Sequence, residues 1–311
     1  MGPAGFKIFQ KVTDYPYSTP AGTRDTAVIL EAFEEIAKTG KWCLVHPFDH
    51  NFLDHAQRKA KESGEAFTPA TFAKFYKMEE EFVSGGYSIY YLAKQAGIRW
   101  FAGHLPFYSG IDLVRWAKTE NVIDVLGCND NCWLTILPQE EMVYDVGPGE
   151  FVKRMQPAPS KEWLDKLWGA INDNTMEMIA TDHAPHLRGE SAPGPLLEWY
   201  GHLLLNEVNN GRTTLERLVE ITSVNAAKRL FGFYPRKGAI QPGSDADIIL
   251  CDMDKEWTIG SDKVYTKCQI NPYHGKKIKG QVTLTMLRGT VIMENGEVIG
   301  KPGYGKFIPV H

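Results

Sequence analysis

Thr181-Asp182-His183-Ala184-Pro185-His186 concentrates groups that can do acid–base or metal chemistry. The apolar run Met176 to Ala180 precedes it and reads as a short buried strand; a Gly/Pro-rich stretch, Gly189 to Pro195, follows. A carboxylate at the C-terminal end of a barrel strand stands where barrel enzymes keep their catalytic groups. There Asp182 could bind a metal and take a proton from a coordinated water. His183 and His186 add ligands or substrate contacts. The plainer alternative is a helix N-cap aspartate beside two surface histidines.

Three further residues fall at or near the ends of other strand-like runs: Lys7, His46 and His104. Two neutral imidazoles and a carboxylate suit a zinc-type divalent ion. A cationic lysine is a poor ligand. Its neutral amine can capture carbon dioxide, and the resulting carbamate can bridge two metals and lower the pKa of a water between them. Taken singly, Lys7 reads as a surface lysine, and His46 and His104 as core or capping histidines. The four at successive strand ends favour a metal site. Cys128 and Cys132 lack a second pair to complete a zinc site and read as ordinary thiols.

The elements that must position these groups alternate. Strands are expected at Phe6–Phe9, Trp42–Val45, Arg99–Gly103 and Val122–Leu126. Helices are expected at Thr26–Thr39, Ala56–Glu62, Phe72–Ala96 (one long helix, or two broken near Gly85-Gly86), Gly110–Glu120, Ser160–Asn172, Pro195–Asn209 and Thr214–Leu230. Alternation of this kind implies parallel strands with crossover helices. After Gly232 the pattern turns antiparallel, with strand-like runs at Lys237–Ile240, Asp247–Cys251, Val282–Leu287 and Thr290–Met293, and an Asn295-Gly296 hairpin signal. The expected division is a barrel portion over 1–232 and a small β-module over 233–311.

Bulk properties narrow the class. The 311 residues are 43% hydrophobic and 23% charged, as in a soluble globular protein. A net charge of −4 offers no electrostatic reason to bind nucleic acid or an acidic membrane. No apolar run is long enough to span a bilayer, and the N-terminus lacks a signal-peptide pattern. The cytoplasm is the default location.

The chain resembles the cyclic amidohydrolases, and most of all the hydantoinase/dihydropyrimidinase branch. Thr181 to His186 is similar to that family's aspartate motif. Gly5-Phe6-Lys7-Ile8-Phe9 resembles the segment with the carboxylated lysine, and Val45-His46 and Gly103-His104-Leu105 resemble its isolated histidine ligands. Asn225 to Gly232, Pro235 to Gly238, Gly243 to Asp247 and the tail Gly303 to Phe307 resemble its C-terminal run. The resemblance implies hydrolysis of a cyclic amide such as a hydantoin, imide, lactam or cyclic ureide. It implies two Zn2+ bridged by carboxylated Lys7, with His46 and His104 on one metal and Asp182 on the other. Asp182 would shuttle the proton from the bridging hydroxide to the leaving nitrogen, with His183 and His186 supporting the site.

Three departures from the family pattern bear on these expectations. The family's first barrel strand ends in His-x-His, which occurs nowhere here. The expected fold is therefore α/β, an incomplete TIM-like (β/α)8 barrel of about six strands plus a small C-terminal β-sandwich portion. A second polypeptide is expected to supply the missing strands and the His-x-His pair, giving a hetero-oligomer. Val12 stands where the family has a carbonyl-polarising tyrosine, so Tyr15 or Tyr17 is expected to contact substrate. Gln156-Pro157 replaces a substrate-contacting Asn-Pro, so Gln156 joins His186 as an expected substrate contact. Two rival readings are a non-catalytic assembly protein related to dihydropyrimidinase and a deaminase of the wider superfamily.

Overall fold

A computed structural model describes residues 2–10, 22–66, 74–130, 143–147, 150–153, 160–184, 196–260, 264–268, 271 and 273–310. The chain divides into two compact units. One comprises 3–131 and 155–179; the other comprises 1–2, 132–154 and 180–311.

The first unit is built on parallel strands β1 (Gly5–Phe9), β2 (Trp42–His46), β3 (Arg99–Ala102), β4 (Val125–Asn129) and β7 (Met178–Ile179). They pair in the order β1-β2-β3-β4-β7. Helices α1 (Thr26–Ala37), α2 (His50–Glu62), α3 (Met78–Ala96), α4 (Tyr108–Glu120) and α5 (Lys161–Asn172) provide the crossovers. This is an incomplete TIM-like barrel, with five parallel strands among the described residues.

The pleat sorts the strand residues onto two faces. Cys43, Val45, Trp100 and Ala102 lie on one face and are buried. Ile29, Phe33, Ile89, Tyr90, Ile111 and Leu113 from α1, α3 and α4 are buried with them. Each fully buried aliphatic or aromatic side chain of this kind contributes roughly 1.5–3 kcal/mol. The opposite face carries the row Lys7, Leu44, Phe101 and Leu126, in direct register. Two residues further along, the same face carries Phe9 and His46, which are also paired. Lys7 on this face is exposed, and Leu44 and Phe101 are half-buried.

One open alternative resolves and three local expectations change. Of the one helix or two expected around Gly85-Gly86, the structure has one, running unbroken through both. These glycines serve close packing: a Cβ on Gly85 would lie 2.7 Å from the Phe48 backbone nitrogen, and one on Gly86 would lie 2.8 Å from Leu113 Cδ2. The strand expected at Val122–Leu126 begins at Val125 and reaches Asn129, so the segment after Leu126 is strand rather than loop. Thr214–Leu230 is not one α-helix. α-Helix α7 covers Leu215–Val219, and two π-type turns follow at Glu220–Val224 and Ala226–Leu230. The Thr222 hydroxyl donates to the Leu218 carbonyl at 2.7 Å, competing for the acceptor of the regular ladder. Lys237–Ile240 is not a strand, because Gly238 is left-handed at φ 77°.

The second unit holds the hairpin β5 (Val143–Gly147) with β6 (Glu150–Lys153), helix α6 (Tyr200–Asn209), α7 and an antiparallel sheet. That sheet runs β11-β10-β9-β8, from β8 (Ile248–Thr258), β9 (Lys277–Leu287), β10 (Thr290–Glu294) and β11 (Glu297–Val298). Asn295 and Gly296, at φ 49° and 82°, make the anticipated tight turn between β10 and β11. α6 is tied to β9 by polar contacts: the Val282 N–H donates to His202 Nδ1 at 3.1 Å and the Lys279 N–H to Asn206 Oδ1 at 2.9 Å. Among the described residues no helix is long and apolar enough to cross a membrane.

Candidate active site

Strand ends β1, β2 and β3 bring three of the anticipated residues together. Lys7 Nζ lies 3.0 Å from His104 Nε2. The His46 and His104 rings stack with centroids 3.8 Å apart. Apolar rings fence this cluster: Phe48 stacks on His46 at 4.4 Å, Phe82 lies 5.3 Å from the same ring, and Lys7 Nζ sits 5.0 Å from the Phe9 centroid.

His104 is only 3% exposed. Burial and, secondarily, the Lys7 ammonium hold its pKa well below the ordinary histidine value. The ring is therefore neutral at physiological pH. Lys7 donates to the Nε2 lone pair, which is the pair a metal ion would accept.

A fourth group lies at the end of β4. Asp130 is 6% exposed, and burial pushes its carboxyl up to about 6, opposed by its hydrogen bond from His104 and by Lys7. Its Oδ1 accepts the His104 backbone N–H at 2.7 Å, and its Oδ2 lies 3.6 Å from His104 Nε2. Because His104 is neutral, the second contact is not an ion pair. The expected strand end at Leu126 concealed Asp130. Extending the β-run through Gly127-Cys128-Asn129 is the signal that finds it: Asp130 then stands at a strand end, as His46 and His104 do. Cys128 is buried, and Cys132 lies outside the described residues.

Asp182 belongs to the other unit, three residues beyond β7. It is exposed, with a left-handed backbone at φ 43°. His104 shares that conformation at φ 57°. For a non-glycine residue the left-handed region costs about 1–3 kcal/mol, and such strain concentrates at functional sites. His183 Nδ1 accepts the backbone N–H groups of Leu196 and Leu197, both at 3.2 Å, so this ring anchors the approach to α6. It also lines a cavity of about 760 Å³ with Trp199, His202, Trp257, Tyr265 and Val282. Tyr15, Tyr17, Gln156 and His186 lie outside the described residues.

The donor types fit a divalent ion of the zinc kind: a lysine amine, a neutral imidazole with its Nε2 turned to that amine, a second imidazole and a nearby carboxylate. Among the described residues no group of three or more His, Cys, Asp or Glu side chains forms a ready cage. Lys7 would have to join the donor set to hold an ion here.

Residues 11–292 match the amidohydrolase family, and the chain belongs to it. It is 30% identical to an L-hydantoinase of Paenarthrobacter aurescens over 292 residues, which are 90% of this chain and 62% of that protein. It is 42% identical to a dihydroorotase of Pyrococcus furiosus over 163 residues, 51% of this chain and 38% of that protein. The chain thus spans less than two thirds of the length of either relative. Its fold matches the solved L-hydantoinase (dihydropyrimidinase) of Arthrobacter aurescens with a TM-score of 0.77 and 26% identity, over 98% of this chain and 68% of that one.

Proposed function

We propose that this protein hydrolyses a cyclic amide of the hydantoin, imide, lactam or cyclic ureide class with a divalent metal, most simply two Zn2+. The observation that carries the reading is the convergence of Lys7, His46 and a neutral His104 from three adjacent strands. Membership of a family whose relatives include a hydantoinase and a dihydroorotase supports it.

In this reading Lys7, as its carbamate, His46 and His104 hold the ion from the barrel portion, 1–232. When bound, the ion polarises the ring carbonyl and acidifies a water. Asp182 would accept a proton from the attacking water as its oxygen bonds to the ring carbonyl carbon, and would return it to the ring nitrogen as the C–N bond breaks. His183 supports the Asp182 segment through its contacts with 196–197. Tyr15, Tyr17, Gln156 and His186 contact the substrate. The aromatic fence of Phe9, Phe48 and Phe82 keeps bulk water from the imidazoles and strengthens their interaction with the ion.

The proposal includes a second polypeptide that adds donors, among them a His-x-His pair, and covers the sheet portion, 233–311. The half-exposed face around Lys7, Leu44 and Phe101 supports this, as do the exposed apolar residues Ile249, Leu250 and Val298. The cytoplasm is the proposed location.

The test is ring opening of 5-substituted hydantoins, allantoin and dihydroorotate by the zinc-loaded protein, alone and with any partner that co-purifies in its native host. Ring opening that chelation abolishes is expected in the complex. No turnover of any of these rings by the loaded complex would refute the reading. Full activity of the isolated chain would remove the partner from it.

A further inference from the structure

We propose that Asp130 is a positioning residue: it braces His104 in the left-handed conformation that turns its Nε2 toward Lys7. Gly103 provides the space that Asp130 needs. The inference rests on the metal-centre reading and adds to it a residue and a role.

The residues sit on one face of the sheet. Gly103 is two positions beyond Phe101, and Asp130 is four beyond Leu126; Phe101 and Leu126 are register partners. Alternation therefore directs both residues toward the Lys7 side of the sheet. A Cβ at Gly103 would lie 2.5 Å from Asp130 Oδ2 and 2.5 Å from Leu44 Cδ1, distances no side chain tolerates. The carboxylate thus lies in the volume that a side chain at 103 would fill. From there Oδ1 captures the His104 N–H at 2.7 Å, while Oδ2 stays within 3.6 Å of the ring nitrogen.

His104 is the residue that needs bracing. Its φ of 57° is in the left-handed region that few residues with a side chain occupy, and without a partner its buried N–H would be costly. An aspartate is itself expensive to bury, so burying one that receives the strained His104 N–H beside a donor imidazole points to orientation of that imidazole. Carboxylates and carbonyls that orient a metal-binding histidine are worth about 10- to 100-fold in metal affinity.

The experiment measures zinc affinity by chelator competition and amide exchange at His104, on the full chain and its variants. Circular dichroism and melting curves establish that each variant is folded. Asp130→Ala is expected to weaken zinc binding about 10- to 100-fold and to speed His104 amide exchange, with the Trp100 and Phe101 amides unchanged. Asp130→Asn keeps an acceptor oxygen and is expected to stay within about threefold of wild type on both readouts. Gly103→Ala is expected to reproduce the alanine phenotype at position 130. A general loss of stability would speed exchange along all of β3 and would not be rescued by asparagine. Should Asp130→Ala fail to fold, Asp130→Ser, whose hydroxyl is too short to reach, takes its place. Unchanged zinc affinity, or unchanged exchange at His104, in a folded variant overturns the proposal. If the wild-type protein binds no zinc, the metal-centre reading fails, and the exchange measurement alone then decides whether Asp130 braces His104.

Discussion

The barrel unit and the sheet unit place their apolar residues differently. In the barrel unit the large side chains are enclosed: Trp42, Trp100, Tyr90, Phe33 and Ile29 are all essentially inaccessible. In the sheet unit Ile249 is 55% exposed, Leu250 52% and Val298 60%. The strand ends differ in the same way. His104 is buried and braced by a carboxylate, whereas Asp182, equally left-handed, stands in solvent. One region thus carries an internally supported donor cluster. The other presents apolar surface of the kind that marks an interaction site.

The largest expected effect lies at the exposed strand end. Asp182→Asn keeps the shape and removes the base, so turnover should fall about 10²- to 10⁴-fold while zinc content is unchanged. Activity within about tenfold of wild type, measured on zinc-loaded protein, contradicts the assigned role.

The buried strand end predicts a pH signature instead. Burial raises the Asp130 carboxyl from 3.8 to about 6, so the folded metal-free protein holds this proton more tightly than the unfolded chain does. That contribution is fully present below about pH 4 and is lost as pH rises through about 6. A shift of about two units corresponds to about 3 kcal/mol. Denaturant unfolding of wild type and Asp130→Asn from pH 4 to 7 should show the difference changing across that window. A constant difference would break the contrast between the two strand ends.

Two helical glycines sharpen the packing side of the comparison. Gly85 in α3 faces the Phe48 backbone at 2.7 Å, which cannot yield, so Gly85→Ala should cost about 1–3 kcal/mol. Gly201 in α6 faces Val282 Cγ2 at 3.3 Å, a side-chain atom with room to adjust. There the gain in helix propensity should offset the contact, leaving Gly201→Ala within about 1 kcal/mol of wild type. Equal melting shifts for the two variants would remove the distinction.

Much of this architecture was legible in the residues. His46 and His104 each close a short apolar run, Lys7 interrupts another, and the turn at Asn295-Gly296 follows from its residue types. Asp130 was hidden because Gly127, Asn129 and Asp130 are poor strand formers. Pairing with β3 and β7 carries the strand through Asn129 all the same. Gly85-Gly86 left one helix or two open for a related reason: glycine weakens a helix in isolation, yet Gly85 admits a neighbouring backbone that only the fold brings close. The π-type turns after α7 reflect side-chain competition for carbonyls, which apolar periodicity does not register.

The most direct test is a crystal of the zinc-loaded protein, with diffraction measured on both sides of the zinc absorption edge. The account predicts an anomalous peak within bonding distance of His46 Nε2, His104 Nε2 and the Lys7 side chain. A zinc peak elsewhere, with Lys7 still donating to His104, would contradict it.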